Sequence, residues 1–103
     1  MSAINFKKLI EYSKRGILSK ELEKEGTINL TLFCMAEGTE ISDHASTKAG
    51  FIYVIEGKGI FNLENEKIEM MAGVFISLKR NVVHSLKAEE NTSFLLFLIN
   101  DEN

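Results

Sequence analysis

The chain contains two histidines, His44 and His84, and one cysteine, Cys34. These side chains are the best suited to hold a transition metal or to move protons near neutral pH. His44 closes the segment Gly38-Thr39-Glu40-Ile41-Ser42-Asp43-His44, with Ser46 just beyond it. His84 closes the segment Gly73-Val74-Phe75-Ile76-Ser77-Leu78-Lys79-Arg80-Asn81-Val82-Val83-His84. If the two imidazoles converge, they share a ligand or an ion. If they do not, each is an ordinary hydrogen-bonded group. Two neutral imidazoles hold a divalent ion weakly, because a stable site offers three or four protein donors. Ser46 adds only a neutral oxygen. Cys34 is read either as an inward-facing thiolate ligand or as a small core hydrophobe. Strand alternation puts Glu40 on the His44 side, near a rim, and Asp43 on the opposite side. Neither histidine has a motif-linked nucleophile, so no Ser/His/Asp set can be argued.

The elements that must position these residues are short and mostly extended. Asn5 caps a short N-terminal helix carrying Phe6, Leu9 and Ile10 at helical spacing, with its end expected near Ser13 to Gly16. Ile17 to Leu22 alternates weakly, and Lys24-Glu25-Gly26 reads as a turn. Ile28, Leu30, Leu32 and Cys34 share one strand face, with Asn29, Thr31 and Phe33 on the other. Further strands are expected over Glu40 to Ser46, Phe51 to Ile55, Ile60 to Leu63, Lys67 to Met70, Val74 to Leu78, Val82 to Ala88 and Thr92 to Ile99. About nine short strands at this turn spacing indicate an all-β sandwich or barrel in one domain.

Composition narrows the function. The balance of 45% hydrophobic and 26% charged residues is that of a globular domain. A net charge of -3, with Lys7-Lys8, Lys14-Arg15 and Lys79-Arg80 as isolated basic pairs, argues against a nucleic-acid partner. The longest apolar run, Phe94 to Ile99, is too short to span a bilayer, so no membrane partner is expected. The first residues lack an apolar stretch of signal-peptide length. A single cysteine excludes an internal disulfide, and a cytoplasmic protein is the expectation. Phe94 to Ile99 is apolar on both faces, so it lies centrally or is covered by a partner, and a homodimer is expected.

The two segments, followed by Tyr53-Val54-Ile55-Glu56-Gly57, resemble the motifs of the cupin superfamily over about Leu32 to Leu98. The first cupin motif runs Gly, His-x-His, Glu, Gly. Gly38, His44 and Gly57 match it, while Ser46 stands for the second His and Gly50 for the Glu. The second motif runs Gly, Pro-x-Gly, His, Asn. Gly73 and His84 match it with one extra residue between them, and Lys79, Asn81 and Ala88 replace the rest. The resemblance implies a double-stranded β-helix, or jelly-roll barrel, with a short N-terminal helix over about 5–14 and the barrel over about 17–99. It implies a metal position at His44 and His84, holding a divalent ion (Fe, Mn, Ni, Zn or Cu) weakly. Gly50 would then open space beside the histidines. Ser46, Gly50, Ile52, Val54, Val82 and Leu86 would line an apolar pocket for a small molecule. Two functions follow from the resemblance. One is a small-molecule-binding cupin with an eroded metal site. The other is a metal-dependent isomerase or dioxygenase using His44 and His84 on a small oxygenated substrate.

Overall fold

The computed structural model describes residues 2–24 and 26–100. Glu25, expected in the first turn, lies outside them. The chain orders as α1 (Phe6–Leu9), β1 (Ile17–Glu23), β2 (Ile28–Met35), β3 (Glu40–His44), β4 (Gly50–Glu56), β5 (Gly59–Leu63), β6 (Glu66–Met70), β7 (Phe75–Leu78), β8 (His84–Ala88) and β9 (Thr92–Ile99). The strands form an all-β fold of two antiparallel sheets, β1-β2-β9-β4-β7 and β3-β8-β5-β6. Alternation along each strand sends one set of side chains between the sheets. Met35, Ile52, Val54, Phe61, Met70, Ile76, Leu78, Leu86, Ala88 and Phe94 form that interior.

The helix is shorter than its apolar spacing suggested. The Asn5 side chain caps the Lys7 amide, but Ile10 is already extended at φ -68, ψ 125. Leaving the helix there lets the chain run on over the sheet. Phe6, Leu9, Ile10 and Tyr12 pack onto Leu32, Cys34 and Leu95, on the outer face of the five-stranded sheet. This second cluster explains part of the two-sided apolar pattern in β9. Phe94 and Leu96 face the interior, while Leu95 and Phe97 face outward. A segment of the same chain covers part of the face that the sequence had left to a partner.

The turn after β4 shows why its glycine is needed. Gly57 has φ 118, and a Cβ there would lie 2.5 Å from the Asn91 carbonyl oxygen and from Thr92. Only glycine occupies that conformation without strain. Thr92, fully buried, fastens the same corner. Its hydroxyl accepts from the Lys58 amide at 3.1 Å and lies 2.8 Å from the Glu90 carbonyl.

Candidate functional site

β3 and β8 are adjacent in the four-stranded sheet, and their register pairs His44 with His84. The imidazole centroids lie 4.1 Å apart at an interplanar angle of 61°, an edge-to-face contact. His84 is 6% exposed, while His44 is open to solvent. Phe61, at the base of the pair, stacks on the His84 ring at 5.5 Å and 12°. The pair is thus half sunk into the interior and half at its mouth.

Each ring is oriented by the carbonyl two residues before it. His44 Nδ1 lies 2.8 Å from the Ser42 carbonyl and His84 Nδ1 lies 3.1 Å from the Val82 carbonyl. A carbonyl only accepts, so in each neutral ring the proton sits on Nδ1. Both Nε2 atoms then carry a lone pair. The β3–β8 pairing supplies one of these orienting carbonyls through an irregularity. Register shifts between Ile41 and His44, which takes Ser42 and Asp43 out of regular pairing. Burial holds His84 below the ordinary histidine pKa, and the nearby His44 pushes in the same direction. The hydrogen bond to Val82 opposes both.

The register shift also corrects the expected position of Glu40. Ile41 pairs with Leu86 and packs on the interior core, so Glu40 does not share the side of His44. Glu40 instead approaches Lys87 at 3.9 Å. With Ser42, Asp43, Asn62 and Ser85 it lines a groove of about 580 Å³ on the outside of the four-stranded sheet. Cys34 is likewise turned away from the histidines. Its strand face looks outward, beneath the N-terminal segment, so it is no ligand to the pair.

The other residues singled out in the sequence divide into rim and core. The half-buried Ser46 lies in the loop after β3, where its hydroxyl accepts from the Lys48 amide at 3.0 Å. Its carbonyl accepts from the Asn81 amide at 2.7 Å, tying this loop to the one before β8. Asn81 adopts a left-handed φ of 63 at that junction. Val82 packs against the core from the same loop, whereas Ile52, Val54 and Leu86 are buried members of the core itself. Gly50 is also buried, but it opens no space. A Cβ built there meets the Phe97 carbonyl oxygen at 1.9 Å. The strand β9 backbone occupies the position, which the sequence spacing gave no means of detecting.

This donor set does not fit a tightly held metal. It offers two imidazole nitrogens and no carboxylate, and Gly50 has no room for a side chain. Among the described residues no group of three or more His, Cys, Asp or Glu side chains could hold an ion. The pair can instead accept hydrogen bonds at Nε2 or, once protonated, donate them.

Comparison with known proteins agrees with this architecture. A conserved protein of unknown function from Streptococcus pyogenes superposes with a TM-score of 0.88 at 20% identity, covering 99% of this chain and 90% of its own. A cupin 2 conserved barrel domain protein from Leptotrichia buccalis gives 0.88 at 26% identity, covering 96% of this chain and 48% of its own. A salicylate 1,2-dioxygenase from Pseudaminobacter salicylatoxidans gives 0.77 at 19% identity, covering 82% of this chain and 26% of its own. No curated protein matches the sequence. The family model described as the cupin domain matches residues 31–100, and this chain therefore belongs to the cupin-domain family.

Proposed function

We propose that this cupin binds a small, partly apolar organic molecule at the mouth of its barrel, anchored by the His44–His84 pair in place of a resident metal. The observation that carries this reading is the orientation of the two rings. Both Nδ1 atoms face backbone carbonyls, and both Nε2 atoms remain for a ligand. A hydroxyl or enol group of the ligand donates to a neutral imidazole. A carboxylate accepts from a protonated one. Val82 and Ser46 stand on the adjoining loops and supply an apolar and a polar contact.

The test has two parts. The purified protein is incubated with Fe(II), Mn(II), Ni(II), Zn(II) or Cu(II), dialysed, and its metal content measured by elemental analysis. Well below one equivalent per chain is expected. Retention near one equivalent, lost in a His44→Ala/His84→Ala variant, would instead favour a metal-dependent enzyme. Small carboxylates and hydroxylated compounds are then titrated while amide chemical shifts are followed. Shifts confined to the His44, Ser46, Val82 and His84 region, absent in the double variant, are expected.

Pairing with a second copy is part of the proposal. Phe51 packs on Phe75 at 5.0 Å and on Phe97 at 4.5 Å, on the outer face of the five-stranded sheet beside the N-terminal segment. Phe75 remains 59% exposed and Tyr53 43%. An apolar sheet face of this kind is a liability in a lone chain. Sedimentation analysis should give a dimer, and Phe75→Glu should give a folded monomer.

A further inference from the structure

The outer face of the five-stranded sheet carries a second group of chemically capable side chains. The strand registers place Leu18, Cys34, Ser93 and Glu56 in one row across β1, β2, β9 and β4. Cys34 and Ser93 are direct cross-strand partners, and both are buried. The Ser93 hydroxyl is the buried side-chain polar atom without a hydrogen-bond partner among the described residues. Tyr12 passes over this row, and its hydroxyl donates to Glu56 Oε2 at 2.9 Å.

The segment that covers the row is held unlike any strand. No backbone hydrogen bond joins residues 2–15 to the sheet among the described residues. Its polar attachments run through side chains. They are the Tyr12–Glu56 contact, the Lys20 ammonium on the Leu9 carbonyl at 2.9 Å, and the Lys20–Glu11 ion pair at 2.9 Å. Its apolar attachments are Phe6, Leu9, Ile10 and Tyr12, all only half-buried. Such a segment belongs to the low-stability end of a fold, where local opening precedes global unfolding.

We propose that residues 2–13 form a strap that opens as a unit of its own and gates a modification site, the Cys34 thiol with the Ser93 hydroxyl beside it, for thiol-directed electrophiles. Two features favour opening. Water reaching the row satisfies the Ser93 hydroxyl, which the closed strap leaves unpaired. Solvation also relieves the burial that holds the Cys34 thiol above its ordinary pKa, and Lys20 nearby favours the thiolate. Closure is favoured by the apolar contacts of the strap and by the Tyr12–Glu56, Lys20–Leu9 and Lys20–Glu11 contacts. The strap thus protects the thiol while closed and presents it when open.

Cys34 is the single cysteine of the chain, so thiol labelling reports on it alone. The experiment follows labelling of the full chain by N-ethylmaleimide across low urea concentrations. The sulfur forms one C–S bond, the maleimide C=C bond is lost, and the thiol proton ends on the adjacent carbon. Opening of the strap alone predicts a labelling rate that rises with urea much less steeply than global unfolding does. A rate with the full unfolding slope overturns the proposal. Two variants separate the routes further. Ile10→Ala, in the strap, should raise the labelling rate about tenfold. Ile76→Val, in the interior core, should lower the urea midpoint and leave the labelling rate unchanged. A labelling rate that follows the Ile76→Val midpoint, or ignores Ile10→Ala, overturns the proposal.

Discussion

His44 and His84 face one another across the β3–β8 ladder, and each imidazole is held by the carbonyl two residues before it in the chain. The two strands therefore orient their rings in the same way from opposite sides. Long-range nitrogen–proton correlation spectra of neutral samples should show both rings with the proton on Nδ1. A spectrum of the opposite tautomer for either ring would remove the lone pair from the ligand side and with it the proposed anchor.

His84 makes stability depend on acid. Burial keeps its folded-state pKa below the unfolded value of about 6.5. As the pH falls, the unfolded chain takes up the proton first. The contribution is fully present above about 6.5 and is lost as the pH falls through the depressed folded-state pKa. Thermal midpoints should fall in the parent chain as the pH drops from about 7.5 to about 5 (both limits lie within the range of about 5 to 8 over which histidine titrates). A His84→Leu variant should show a shallower fall.

Tyr12 acts at the opposite end of the scale. Burial first, and then the Glu56 carboxylate, push its pKa up to about 12. Ser93, beside the phenol, acts in the other direction, although its hydroxyl has no well-formed hydrogen bond among the described residues. The folded state holds the proton more tightly, so this stability is fully present below about 10 and is lost as the pH rises toward 12. Tyr12→Phe should lose less stability over that alkaline window than the parent does, as measured by urea midpoints.

Glycine positions give a direct test of the site geometry. Restoring the family carboxylate through Gly50→Glu should not create a metal site, because its Cβ would meet the Phe97 carbonyl oxygen at 1.9 Å. The expected result is a loss of at least about 3 kcal/mol or an insoluble chain. A stable variant that gains an equivalent of metal would overturn the account of Gly50.

Gly57→Ala should cost at least about 2 kcal/mol, since it combines a strained φ with a backbone clash. Urea unfolding measures it. The comparable φ of 91 at Gly73 meets open space, so Gly73→Ala should cost less.

The amino-acid order alone was enough for the cupin barrel. Alternation of apolar and polar residues is a local property, and turn residues mark where it stops. The nine strands therefore lie close to their expected spans. Motif spacing placed His44 and His84 at corresponding positions but left their meeting open, and the β3–β8 register brings them together. Three other features were decided only in three dimensions. The face occupied by Cys34 depends on which side of β2 the second sheet covers, and the more apolar face of β2 turned out to lie under the N-terminal segment instead. The side of Glu40 depends on a register shift, which moves side chains across a strand without any sign in composition. The emptiness expected at Gly50 was lost because a distant strand backbone fills it. Strand periodicity carries the fold, whereas the site is shaped by contacts between segments far apart in the chain.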